Sequence, residues 1–213
     1  MRLTRTWVAA VFVVACVPSR MQVPPGLARD AVLLQATDRT NISGGLFDEN
    51  FRLGPYAVTD VHRLGNSTEN FEVALADSGE SAGGFEYSIF HGKTALKGSC
   101  RSNQPQKMLA CTCASATATA TLSMQDVART FEGTVTTSAA RYRVTSIHEL
   151  EGGSAQNEPS GYRIDAAALV GAVDITPPGR AWLERTLPES AQSELVCLFV
   201  GLMLYEPPEA TAE

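Results

Sequence analysis

The chain has 213 residues, of which 44% are hydrophobic, 19% charged and 7% aromatic, a balance that suits one folded domain and excludes a disordered or coiled-coil chain. Its formal net charge is −6 with three lysines in all. Nucleic acid requires clustered basic residues, so no nucleic-acid partner is expected.

In chain order, Arg2 and Arg5 open a short polar start, followed by nine apolar residues over 7–15. Nine are too few to cross a bilayer as a helix, which takes about 20. A basic start, a short apolar stretch and a small residue at its end describe an export signal over 1–15. There the sequence reads Val13-Val14-Ala15-Cys16, which resembles the lipobox of bacterial lipoproteins, with Val13 in place of the usual leucine. The resemblance implies diacylglyceryl and acyl (palmitate-type) modification of Cys16 and anchoring in a membrane of the bacterial cell envelope, on the periplasmic side of the outer membrane. Several acyl chains on one residue hold a protein at a membrane far better than one chain. Cleavage before Cys16 leaves 15 basic and 23 acidic residues, an acidic domain on a lipid leash.

Residues 16–45 mix Pro18, Pro24, Pro25 and Gly26 with a small apolar patch, and predict a tether containing one short helix over 28–36. Asn41 and Asn66 match the glycosylation pattern, which is inert in a bacterial lipoprotein. The domain is expected over 46–206. From 51 to 150, apolar and polar residues alternate with period two: Phe71, Val73 and Leu75; Phe85, Tyr87 and Ile89; Tyr142 and Val144; and Thr117, Thr119 and Thr121 against intervening alanines. Period two makes half-buried strands, and Gly65-Asn66, Ser78-Gly79, Gly83-Gly84, Gly92-Lys93 and Gly152-Gly153 are read as turns between them. The fold class predicted is mainly β, an antiparallel barrel or sandwich.

Further strands are expected around Tyr162–Ile164 and 169–175, a turn at Pro177-Pro178-Gly179, and a short extended piece at 181–183. Thr186-Leu187-Pro188-Glu189 fits a capping box, with Thr186 as N-cap of a helix over about 187–205. Glu206, Pro207 and Pro208 stop it, leaving an acidic tail over 207–213. Residues 195–205 of this helix contain no charged or strongly polar side chain. A helix apolar on every side must be enclosed by protein or lipid. Eleven residues rise only about 16 Å, half a bilayer core, so a buried core helix is favoured over a membrane span or a central strand. The strands then enclose it.

Antiparallel strands, a Gly161-Tyr162-Arg163-Ile164 and Val170-Gly171-Ala172-Val173-Asp174 pair, and a last apolar helix resemble the tubby C-terminal and LURP-one/scramblase-like superfamily over 51–206. The resemblance implies a closed barrel threaded by its C-terminal helix. The membrane or phosphoinositide binding associated with that superfamily uses basic surface residues, and in this acidic chain it transfers to no residue.

Beyond Cys16, the cysteines are Cys100, Cys111, Cys113 and Cys197. Two strands joined by the polar loop 101–107 let Cys100 face Cys111 or Cys113 across a hairpin. Cys111 and Cys113 share a strand face about 6.6 Å apart and are poor partners for each other. Cys197 is either a small core residue or the partner of the leftover strand cysteine. A metal or redox site from Cys111-x-Cys113 with Cys100 or His91 lacks the Cys-x₂-Cys spacing of zinc sites, and no cofactor is expected. Gly79-Glu80-Ser81-Ala82-Gly83 matches a nucleophile elbow, with Ser81 as nucleophile and His91 or His148 as base. An elbow needs a buried parallel strand before it and a helix after it, whereas strand-like residues follow this one. His62, His91 and His148 show no ligand spacing. The function expected is therefore a non-catalytic, membrane-anchored binding or scaffolding protein, with a serine esterase at Ser81 and a lipid-binding module as the alternatives.

Overall fold

The computed structural model describes residues 19–27, 30–39, 50–64, 82–103 and 107–205. Cys16, Asn41, Asn66, the alternating stretch at 71–76, Ser81 and the tail at 207–213 lie outside them. Twelve strands form a closed antiparallel barrel: β1 (Ala31–Thr37), β2 (Phe51–Leu53), β3 (Tyr56–Leu64), β4 (Ala82–His91), β5 (Thr94–Asn103), β6 (Met108–Ala114), β7 (Thr119–Val127), β8 (Thr130–Thr136), β9 (Arg141–Ile147), β10 (Gly161–Asp165), β11 (Leu169–Asp174) and β12 (Arg180–Glu184). Helix α1 (Glu189–Leu204) follows.

Period two decides which way each side chain points. On β7, Ala120, Leu122 and Met124 face inward while Thr119, Thr121, Ser123 and Gln125 face solvent. Leu109, Cys111 and Cys113 do the same on β6, and Tyr142 and Val144 on β9. Inward residues of the strands and the residues of α1 form one continuous core. Every side chain from Leu195 to Val200 is fully buried, so the helix apolar on all sides is enclosed by the sheet.

Small wall residues make room for it. A Cβ on Gly171 would stand 3.1 Å from Phe199 Cζ, and one on Gly98 would collide with the Tyr87 ring. On the helix side, a Cβ on Gly201 would meet Cys100 Sγ at 2.8 Å and Tyr87 Oη at 2.9 Å. The contacts at Gly98 and Gly201 are closer than real Cβ atoms accept and that at Gly171 is tighter than most, so glycine helps to set the distance between rod and wall.

Five sequence expectations are corrected. The helix expected over 28–36 gives way to a strand: β1 takes Ala31–Thr37, pairs with β12 through Val32↔Leu183 and Leu34↔Ala181, and closes the barrel, while 28 and 29 lie outside the described residues. The span 16–45 is accordingly more than a tether, since β1 and the docked residues around Met21 lie inside it. Gly83-Gly84 is not a turn but lies within β4, where a Cβ on Gly84 would come 2.8 Å from Cys100 O. Thr186 does not cap α1; its hydroxyl donates to Glu184 (2.7 Å), the helix begins at Glu189 after Pro188, and Gln192 Nε2 donates to the Leu187 carbonyl (2.8 Å). Also, β7 starts at Thr119 because Ser115 folds 115–118 into a turn, its Oγ accepting the Thr117 and Ala118 amides.

Candidate functional site

The barrel has two unlike ends. At the floor, where α1 enters, the connections are two to four residues long. At the mouth, where α1 leaves, three of the six connections run to thirteen or seventeen residues: 38–50, 65–81 and 148–160. Long connections on a rigid frame are where binding groups are usually carried.

The lumen itself is a packed core. Cys100 joins Cys111 directly across the β5–β6 pair, and Cys113 joins Cys197, tying the wall to the helix. Sequence alone left the connectivity open. Alternation settles it: Cys111 and Cys113 both point inward, but Cys100 is registered with Cys111, so Cys113 is left facing the rod. With all four sulfurs bonded, a metal at Cys111-x-Cys113 is excluded. The Tyr87 hydroxyl donates to the Cys197 carbonyl (2.8 Å) beside these bridges, and burial pushes its ionisation upward.

Polar anchors fix the two ends of α1. Near the floor, the buried Glu194 carboxylate accepts the Ser138 amide and the Ser138 hydroxyl, both at 2.7 Å. At the mouth, Arg39 Nη2 donates to the Met203 carbonyl (2.7 Å) and Arg63 Nη1 to the Leu204 carbonyl (3.5 Å). The last turn of α1 has no basic residue of its own, so Arg63 of β3 and Arg39 just beyond β1 supply the positive charge that the helix C-terminus favours. Beneath it, Tyr205 packs edge-on against Phe131, and burial with the nearby Glu158 and Asp126 carboxylates pushes its ionisation up to about 12. The buried Tyr162 hydroxyl has no hydrogen-bond partner among the described residues, and desolvation raises its ionisation as well.

One arrangement at the mouth escaped sequence reasoning. Ser146 Oγ lies 2.9 Å from His148 Nε2, and His148 Nδ1 lies 3.2 Å from the Gln156 carbonyl. A carbonyl only accepts, so Nδ1 carries the proton and Nε2 accepts from Ser146. The signal was there: an i, i+2 pair on a strand shares a face. The order serine, imidazole, acceptor is that of an activated nucleophile, but the third member is a neutral carbonyl that orients the ring without charge to stabilise an imidazolium. Ser146 is 8% exposed, and its oxygen also accepts the Phe131 amide (3.0 Å). That bond extends the β8–β9 seam one step past its last ladder pair, Glu132↔Thr145. Nothing among the described residues indicates catalysis.

The other histidines stay apart. His91 lies 4.6 Å from the Tyr56 ring and tilted to it at the floor, His62 pairs with Glu86 in the β3–β4 register, and among the described residues no group of three metal-ligating side chains forms. Ser81 is outside the described residues, yet β4 begins at Ala82, so a strand and not a helix follows it.

A strap on the outer wall was also missed. Met21 bridges to Leu150, Gln22 N donates to Glu149 O (2.9 Å) and Glu151 N to Arg20 O (2.8 Å). Met21 and Leu27 bury themselves against Ile147, Ala172 and Trp182 in a second apolar cluster, separate from the lumen. Beside it, Arg180 lies 5.0 Å over the Trp182 ring and donates to Asp174 (2.7 Å) and Glu151 (3.0 Å). Compared with known proteins, the chain matches no family model, no curated protein and no solved structure.

Proposed function

We propose that the chain is an acyl-anchored, non-catalytic binding or scaffolding protein of the bacterial cell envelope, held through lipidated Cys16 on the periplasmic side of the outer membrane. The observation that carries the non-catalytic reading is the solid lumen: the space that holds a ligand in other barrels is taken by α1, whose side chains from Leu195 to Val200 are fully buried. Binding therefore falls to the outside, and the mouth with its long connections is the part best suited to it. The outer wall also argues for an aqueous setting. Lys97, Arg101, Thr112, Thr121, Gln125, Arg141 and Arg143 face outward while the apolar residues face in, the inverse of a membrane-spanning barrel. Kinship with the tubby C-terminal and LURP-one/scramblase-like superfamily is part of the proposal, supported by antiparallel strands closed around a C-terminal apolar helix.

The test is detergent-phase partitioning with palmitate labelling. Wild type is expected in the detergent phase and labelled, and Cys16→Ser in the aqueous phase and unlabelled. A Cys16→Ser chain still in the detergent phase sinks the anchor. Fluorophosphonate labelling that disappears in Ser81→Ala would replace the non-catalytic reading with an esterase. Liposome binding by Cys16→Ser would favour the lipid-binding module.

A further inference from the structure

The strap changes what an anchor at Cys16 would do. Residue 16 precedes Met21 by five residues, about 18 Å at full extension. Met21 is not on a free tether. It is fully buried, bridged to Leu150 just beyond the mouth end of β9, and its Sδ fills the place a Cβ on Gly161 would need. From there the strap runs down the outer wall, with Gly26 against the Leu169 side chain at the floor end of β11, before β1 turns back up.

We propose that the strap sets the orientation of the barrel: its mouth is held against the bilayer surface and its floor points away. The partner of the mouth is thus the lipid headgroup region, and whatever the long connections bind is met there. The proposal rests on the lipid-anchor reading and adds distance and direction to it. Geometry supplies both. The sixteen residues of α1 span about 24 Å from floor to mouth, more than the leash can reach, so the two ends cannot exchange places while the strap stays docked. Charge does not supply the contact. Segments 40–49, 65–81 and 206–213, which continue from elements ending at the mouth, carry nine carboxylates and no basic residue.

The experiment uses the full lipidated chain on phosphatidylcholine vesicles carrying a headgroup energy-transfer acceptor. A donor fluorophore is placed at Val127, exposed at the mouth, or at Lys93, in the floor turn. Transfer is expected to be several-fold stronger from position 127 than from 93. A ten-residue Gly/Ser spacer inserted between residues 18 and 19 lengthens the leash without touching the strap, and is expected to abolish that difference. Equal transfer from both positions in the unaltered chain overturns the orientation, as does a difference that survives the spacer. A Cys16→Ser chain that stays on the vesicles overturns the anchor reading instead, so the two failures are told apart.

Discussion

The floor and the mouth of this barrel are built on different principles. At the floor, turns such as Gly54-Pro55 and Gly92-Lys93 close adjacent strands with two residues, and the helix is held where it enters by a buried carboxylate on Ser138. At the mouth, the last helical carbonyls are met by arginines from β3 and from just beyond β1, and the connections between strands run to as many as seventeen residues. Short turns fix register and leave little to vary; long connections cost little extra closure entropy and are free to carry recognition. Between the ends lies the rod that neither can do without. The difference teaches that one side of the molecule is committed to stability and the other is available for function.

The largest expected effect strikes the rod. Leu202→Asp places an unpaired carboxylate among fully buried side chains, and loss of folding is expected, read as collapse of near-ultraviolet circular dichroism. Next come the staples. In the chain-entropy estimate, Cys113–Cys197, separated by 84 residues, contributes about 4.6 kcal/mol, and Cys100–Cys111, separated by 11, about 2.8 kcal/mol. Denaturant unfolding of the two Cys→Ala double variants should preserve that order. The reverse order would mean that the wall-to-helix bridge is not the main constraint.

Single polar anchors then compare the ends directly. Glu194→Gln weakens two charge-assisted bonds at the floor and should cost about 1.5–3 kcal/mol, whereas Arg39→Ala at the mouth should cost about 1 kcal/mol. Equal costs would erase the asymmetry. The mildest test is alkaline titration. Tyr205 ionises at about 12, above its ordinary 10, and Tyr87 and Tyr162 are raised further by burial. Because the folded values exceed the unfolded ones, the stability these tyrosines contribute is whole below pH 10 and is lost as pH rises through the folded values. Absorbance at 295 nm should therefore show Tyr87 and Tyr162 ionising only with unfolding.

Much of the frame was legible because one interaction dominates each feature. Period two at Phe85, Tyr87 and Ile89 and at Tyr142 and Val144 reports a one-sided core, and the unbroken apolar run at 195–205 reports enclosure. What failed to read depends on distant neighbours. The run at 31–36 is apolar at Ala31, Val32, Leu33, Leu34 and Ala36, so it fits neither period cleanly; only pairing with β12 and β2 makes it a strand. Met21 is buried by Trp182 and Ala172, some 150 residues onward, and no local pattern announces it. Thr186 does not cap because α1 begins only at Glu189, with Pro188 in the N-cap position two residues further on. Gly84 looked like a turn because glycine serves turns, yet here it admits the carbonyl of Cys100. Ser146 and His148 were a readable pair passed over because no catalytic motif framed them.

The most direct measurement is disulfide mapping of the native chain by mass spectrometry without reduction, fragmenting at Thr112 to separate the two neighbouring cysteines. A rod enclosed by the sheet predicts Cys100 bonded to Cys111 and Cys113 bonded to Cys197. A free Cys197 thiol, or Cys100 bonded to Cys113, would contradict it.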